Sequence, residues 1–347
     1  MKVLVTGPGG FLGRYIVEQL IARGDSVRGL ARGDYPELVE QGVEMVQGDL
    51  ADLATVTKAC EGVDCVIHPA GKVGVWGKWF QYFRANIHGT LNILSACKQL
   101  GVERLVFTSS PSVTFAGADQ KGVDESAPYP DRWLSHYPHS KAIAEQMVLA
   151  ANGEHVANNG ILRTCALRPH LVWGPRDHHL VARLVQRAHA GQLRRVGTGT
   201  NLVDSIYVEN AAEAHLLAAD SLALADSPVA GKPYFLSQGE PVNCWDWVDQ
   251  ILALAGLPPV EKQISRGAAY WVGAGLEATH WAARRWDAEP RMMRFVALQL
   301  STDHYFDISA ARRDLGYEPR VSMAEGMQRL GNWIAEGGLR NAESTVA

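Results

Sequence analysis

Tyr137 and Lys141, in the run YPHSK, stand four residues apart and would share one face of a helix. A phenol whose ordinary pKa is about 10 works as an acid or base near neutrality when a cation tunes it. The pair is therefore a candidate proton-handling centre. A Tyr and a Lys at this spacing also arise by chance in a chain of 347 residues, so the surrounding elements decide what the pair means.

The chain opens with the strand pattern KVLVT and runs into TGPGGFLG, where Gly7, Gly10 and Gly13 precede an amphipathic helix carrying Leu12, Ile16 and Leu20 on one face. Glycines at this junction let backbone N–H groups and the helix N-terminus approach a pyrophosphate, with Phe11 and Leu12 in the first turn. A dinucleotide site is expected. The second strand pattern ends in GLAR, where an NAD-specific site would place an acid for the ribose hydroxyls. Ala31 and Arg32 stand there instead, with Asp34 close by, and a guanidinium suits a 2′-phosphate, which favours NADP over NAD.

Short apolar runs alternate with helical stretches: SVRGL, VEMVQG, CVIHPA, a helix from about 79 to 100, RLVFTSS, the Tyr137 helix to about 152, ILRTCALRP and VDSIYV. This rhythm predicts an α/β fold, a Rossmann-type doubly wound parallel sheet with a smaller C-terminal substrate lobe. Residues 1–168 are expected to form the NAD(P)-binding domain, with 202–222 returning to it. Residues 169–201 and 223–347, with seven of the ten tryptophans, are expected to form the lobe.

A net charge of −4 with 47% hydrophobic residues argues against nucleic acid as the main partner and leaves small molecules. Five scattered cysteines fit free thiols in a reducing compartment, and MKVLVTG enters a strand pattern at once, so a cytoplasmic protein is expected. The most membrane-like run, residues 268–286, contains Glu277 and His280 and falls short of a bilayer span. It is expected to lie at an interface or to line a lipid pocket.

With TGPGGFLG, GDL at 48–50, HPAG at 68–71, TSS at 108–110 and YPHSK in this order, nearly the whole chain resembles the extended short-chain dehydrogenase/reductases. Within them it resembles the 3β-hydroxysteroid dehydrogenase branch through FTSSPSVTFAG, LRPHLVWGPRD, GTNLVDSIYVENAAEAHLLA and FDISAARRDLGYEP. That resemblance implies that Tyr137 is the acid in ketone reduction, that Lys141 tunes it and holds the nicotinamide ribose, and that Ser110 orients the carbonyl, with Ser112 a second candidate. It further implies Asp49 and Leu50 at the adenine, Ala70 and Lys72 beside the ribose, Pro169 beside the carboxamide, Asn86 bracing the site, and a homodimer. A regulator without turnover is disfavoured, because the Tyr, the Lys and the Ser are all present.

Sugar-nucleotide epimerases and dehydratases share this scaffold but usually carry an Arg where this chain has Val203, and an apolar residue cannot clamp a pyrophosphate. His170 in RPH, followed by WGPRD, resembles sterol-4-carboxylate dehydrogenases and the bacterial reductases of 2-alkyl-3-oxo acids. The runs AGKVGVWGKWFQYF, GQLRRVGTGTNLVD and GEPVNCWDW favour the latter, which serve long-chain olefin synthesis. The resemblance therefore implies NADPH-dependent reduction of a 2-alkyl-3-oxoalkanoic acid to the 3-hydroxy acid, with peripheral association with other hydrocarbon-pathway enzymes. Steroid or sterol-4-carboxylate oxidation is the alternative, and nucleotide-sugar chemistry a more remote one. His170, Arg176 and Lys72 are candidates for the substrate carboxylate. Asp177, His178 and His179 resemble a metal cluster, yet adjacent histidines diverge on most backbones, and no metal is expected.

Overall fold

Seven short strands carry the sequence's apolar runs in the computed structural model, which describes residues 1–339; residues 340–347, the end of the expected lobe, lie outside the described residues. They are Lys2–Thr6 (β1), Ser26–Ala31 (β2), Glu44–Gln47 (β3), Cys65–His68 (β4), Arg104–Thr108 (β5), Arg163–Pro169 (β6) and Lys232–Leu236 (β7). All pair in parallel, in the order β3-β2-β1-β4-β5-β6-β7. A sheet covered on both faces reads as continuous apolar sequence, and alternate side chains go to opposite sides. Val3, Val5, Cys65, Ile67 and Val106 face one core with Ile16 and Leu20. Leu4, Val66, Leu105 and Phe107 face the other, with Val56, Ile93, Leu94 and Val148.

The helices that cover these faces are Phe11–Ala22 (α1), Leu53–Cys60 (α2), Gly89–Leu100 (α3) and His136–Ala150 (α4). Val181–His189 (α5), Val208–Ser221 (α6), Cys244–Leu254 (α7) and Arg266–Ala282 (α8) follow. The helix expected from about 79 to 100 is not uniform: Trp79–Tyr82 leads into a π-helical stretch, Phe83–His88, before α3. Helix α6 brings residues of the 202–222 segment onto the face that α1 covers.

Two strands differ from the sequence pattern. VDSIYV divides into Leu202–Val203, within a small four-stranded sheet, and Ile206–Tyr207, which pairs with Val172–Trp173. Asp204 and Ser205 interrupt it because the Asp204 carboxylate is buried and bonded to other elements. The seventh strand of the large sheet comes from KPYFL instead. Its Pro233 weakens the strand signal but is tolerated because β7 is an edge strand. A second core, around Trp173, Trp245, Trp247, Val203 and Tyr207, holds α5 and α7 together.

Candidate active site

At the carboxyl end of β5 the chain leaves the sheet through Thr108, Ser109 and Ser110. Ser110 caps a 3-10 turn, Pro111–Thr114, by accepting from the Ser112 N–H, and the two serine hydroxyls lie 2.9 Å apart. Helix α4 begins beside this turn. Its cap Ser135 accepts from the Tyr137 N–H at 3.4 Å and donates to the Val75 carbonyl at 2.8 Å, which places the phenol in the helix's first turn. One turn on, Lys141 is buried, donates from Nζ to the Thr108 carbonyl at 2.5 Å and lies 4.0 Å from the centre of the Phe107 ring. The structure thus brings Ser110, Ser112, Tyr137 and Lys141 together.

Burial governs how these groups hold protons. It raises the Tyr137 pKa, against the opposing pull of the Ser110 hydroxyl. It pushes the Lys141 ammonium down to about 7, with the nearby Glu145 carboxylate working the other way. A phenol kept protonated is poised to give a proton rather than to take one. That is the state a ketone reductase needs at neutral pH.

Asn86 lies in a π-helical stretch, a feature frequent at functional sites, and its side chain links two elements around Tyr137. Its Oδ1 accepts from the Lys72 N–H at 2.6 Å, and its Nδ2 donates to the Lys72 carbonyl and to Ser140 Oγ. Ser140 in turn donates to the Tyr137 carbonyl at 2.8 Å. A second chain reaches Asn86 from the sheet. The Ala70 N–H donates to Thr6 Oγ1, whose hydroxyl lies 2.7 Å from His68 Nδ1, while His68 Nε2 meets Thr90 Oγ1 and Thr90 donates to the Asn86 carbonyl. These partners assign the imidazole proton to Nε2. Burial first, and the Lys141 charge second, push the His68 pKa down to about 3 and keep it neutral.

His68 and Thr90 escaped the sequence reading, as did the buried pair of Arg168 and Glu145, whose two bonds at 2.9 and 2.6 Å tie α4 to β6. Arg168 lies 23 residues from Glu145, so no local spacing signalled that pair.

The glycine turn has the shape of a phosphate cradle. Gly7 takes φ +61°, and a Cβ on Gly13 would come within 2.1 Å of the Gly7 carbonyl oxygen, so α1 starts hard against the turn. Gly10 offers α1 no side-chain cap. The amides of Phe11, Leu12 and Gly13 are left for an anion at a positive helix end. Ala70 borders this turn, 3.2 Å from a Cβ placed on Gly7, and Pro169 ends β6. Arg32 projects from the end of β2 into solvent. Leu50 packs under Gly89, while the Asp49 carboxylate accepts from the Ala51 N–H and pairs with Arg84 at 3.1 Å. The residues present fit a dinucleotide.

The three candidates for a substrate carboxylate separate. Arg176 is held by both oxygens of Glu18, at 2.6 and 2.8 Å, and lies over the Tyr15 ring. It walls a cavity of about 490 Å³ that contains none of Ser110, Tyr137 or Lys141. Sequence reasoning missed this because Glu18 is distant in the chain. His170 is bound through Nδ1 to Asp204 Oδ1 at 2.6 Å, and the other Asp204 oxygen accepts from the Phe306 N–H. Its ring is packed edge-on against His304 and Phe306. Lys72 is joined to Asn86 through its backbone N–H and carbonyl, and its ammonium lies 5.3 Å from the Tyr82 ring centre. Asp177 spends its carboxylate on the N–H groups of His179, Leu180 and Val181 at the start of α5. Val203 is fully buried in the second core, where an Arg would have no room.

An apolar cluster adjoins the start of α4. Phe115, Phe295 and Leu298 cluster with Val75, Leu134 and Tyr270. Val75 carries the carbonyl that Ser135 holds, and Leu134 precedes that cap. In the loop following Lys72, the Trp76 ring stacks on Trp286 with the ring centres 5.6 Å apart.

A model of the 3-beta hydroxysteroid dehydrogenase/isomerase family matches residues 4–264. The chain is 52% identical, over 94% of its length and 84% of the relative's, to the 2-alkyl-3-oxoalkanoate reductase of Shewanella oneidensis. It is 47% identical, over 95% of its length and 98% of the relative's, to the enzyme of the same name from Stenotrophomonas maltophilia. The 3 beta-hydroxysteroid dehydrogenase/Delta 5-->4-isomerase of Mycobacterium tuberculosis is more distant, 35% identical over 94% and 88%. Among solved structures, the Thermus thermophilus UDP-glucose 4-epimerase complexed with NAD aligns at a TM-score of 0.67 and 28% identity, over 96% of this chain and 99% of that one.

Proposed function

The chain belongs to the 3-beta hydroxysteroid dehydrogenase/isomerase family, and from that premise we propose that it is an NADPH-dependent reductase converting 2-alkyl-3-oxoalkanoic acids to 2-alkyl-3-hydroxyalkanoic acids. The observation that carries this reading is a Tyr137 phenol kept protonated beside Ser110, on a helix whose cap Ser135 holds Val75 of an apolar cluster and whose Ser140 is tied through Asn86 to the backbone of Lys72. Two reductases of that name, matching nearly the whole chain, support the substrate.

The amides of Phe11, Leu12 and Gly13 would hold the pyrophosphate, Lys141 the nicotinamide ribose and Arg32 the 2′-phosphate of a bound NADPH. A reduced nicotinamide held there would supply the hydride. Tyr137 gives its proton to the C3 oxygen, and Ser110 donates a hydrogen bond to the same atom, where negative charge develops. Lys72 pairs with the carboxylate on C2. A 3-oxo acid loses CO₂ by spreading that carboxylate charge into an enolate, so an ion pair on the carboxylate opposes the loss until C3 is reduced. The hydroxy acid then keeps its carboxylate for a later activation step.

Phe80, 65% exposed, shares a helical stripe with the exposed Phe83 and Leu91, which supports a homodimer packed through this helix and α4. Among the described residues no helix is long and apolar enough to cross a membrane. With all five thiols free and buried, a cytoplasmic location fits best.

Three measurements check the reading. NADPH oxidation assayed in parallel with 2-alkyl-3-oxo acids, steroids and UDP-sugars is expected only with the first; turnover of a steroid or UDP-sugar alone would refute it. Arg32→Ala is expected to weaken NADPH binding roughly tenfold to a hundredfold, the value of one charge-assisted contact, and NADH binding little; equal losses would make Arg32 structural. Lys72→Met is expected to raise KM for the acid by about tenfold or more while KM for NADPH stays near wild type. An unchanged KM for the acid would remove Lys72 from substrate binding.

A further inference from the structure

Helix α8 is inside out. Its buried side is fixed at Ala269 and Gly273, where an added Cβ would come within 2.7 Å of the Met293 backbone, and by Glu277, which binds the Arg294 side chain at 2.7 Å and its N–H at 2.6 Å. The opposite side is left in water. It carries Ala268, Trp271, Val272, Gly275, Ala278 and Trp281, with Thr279 its polar member. Trp271 is 74% exposed, Trp281 65% and Val272 49%. A surface helix ordinarily shows the reverse, apolar residues inward and charges outward.

Basic residues bracket this face. Lys262, Arg266, Arg284 and Arg285 stand at its two ends, outnumbering the exposed acids Glu261 and Asp287 beside them, and Glu277 is turned inward. The whole chain, by contrast, carries a net charge of −4. Seventeen residues of helix span roughly 25 Å and are about 10 Å across. The face thus offers on the order of 250 Å², far below the roughly 800 Å² per partner of a stable protein interface. Tryptophans on a helix flanked by arginines fit instead the boundary layer of a lipid surface.

We propose that α8 docks the protein on anionic lipid surfaces, with Trp271, Val272 and Trp281 in the interfacial layer and Arg266, Arg284 and Arg285 on the headgroups. The inner side of the same helix sends Tyr270 into the apolar cluster that adjoins the start of α4, and Trp286, beyond its end, stacks on Trp76 of the Lys72 loop. One helix therefore separates the lipid from the catalytic cleft. It admits a long-chain acid directly from the surface in which such a molecule resides, a use that rests on the reductase reading.

The test is flotation of the full chain with vesicles of pure phosphatidylcholine or of phosphatidylcholine mixed with phosphatidylglycerol. Wild type is expected to float with the mixed vesicles and not with the neutral ones, W271S/W281S to lose partition tenfold or more, and R284Q/R285Q to lose the preference for phosphatidylglycerol. Wild type remaining in solution with both vesicles would overturn the proposal, as would W271S/W281S floating like wild type. Absence of flotation combined with a change of oligomeric state in W271S/W281S would assign the face to a second copy of the chain, which also overturns it. Turnover of a water-soluble, short-chain 2-alkyl-3-oxo acid separates the two readings: its loss sinks the reductase and leaves flotation untouched, and its persistence without flotation sinks only the docking.

Discussion

Tyr137→Phe is expected to lower the rate of 3-oxo acid reduction by about a hundredfold or more, the usual contribution of a positioned general acid, while NADPH affinity stays close to wild type. The ring remains packed in the first turn of α4, and Ser110, Lys141 and the glycine turn are untouched, so only the proton donor is lost. Single-turnover kinetics report the chemical step, and a fluorescence titration with NADPH reports binding. If the Phe protein keeps more than about a hundredth of the wild-type rate, the proton comes from another group. Parallel loss of NADPH affinity would show that the substitution disturbed the fold.

Lys141→Met is expected to damage both binding and chemistry, lowering kcat/KM for NADPH-dependent reduction by about a hundredfold or more. It should also make the cofactor-free protein more stable at neutral pH. The amine is enclosed, with its ordinary pKa of 10.5 pushed down to about 7 by burial, so the folded chain holds fewer protons than the unfolded one between those values. Wild-type stability must therefore rise as pH increases through that window and be most penalised below it. The stability gap between Lys141→Met and wild type is widest at about pH 7 or below and closes as pH approaches 10.5. Each tenfold shift in a proton equilibrium is worth about 1.4 kcal/mol, so a gap of a few kcal/mol is expected. Urea unfolding at several pH values measures it. A gap that is constant with pH would mean that burial does not penalise the Lys141 charge. The cost of keeping an amine here is the kind of stability that active sites give up for function.

What was legible in the sequence had local signatures. Strands β1, β2, β4, β5 and β6 show as apolar runs because they are covered on both faces, the glycine turn because only glycine fits at Gly7 and Gly13, and the pair Tyr137 and Lys141 because its spacing matches a helical turn. What stayed hidden depends on partners distant in the chain. Arg176 was a free guanidinium by sequence and is bound to Glu18 in space; His170 is bound to Asp204. Asn86 owes its aim to a π-helical stretch that periodicity cannot distinguish from ordinary helix. Strand β7 was obscured by Pro233, whose missing N–H matters little at an edge. The outward apolar face of α8 was visible as a hydrophobic run, but its direction is set by Gly273 against Met293 and Glu277 against Arg294.

The most direct measurement follows the hydride. Wild-type protein is given NADPH deuterated at the transferring position of C4 together with a freshly generated 2-alkyl-3-oxoalkanoic acid, and the product is analysed by mass spectrometry. The expected product is a 2-alkyl-3-hydroxyalkanoic acid that keeps its carboxylate and carries one deuterium on C3, formed by wild type and not by Tyr137→Phe. Recovery of only the unlabelled ketone left by CO₂ loss, or deuterium at C3 in equal yield from both proteins, would contradict it.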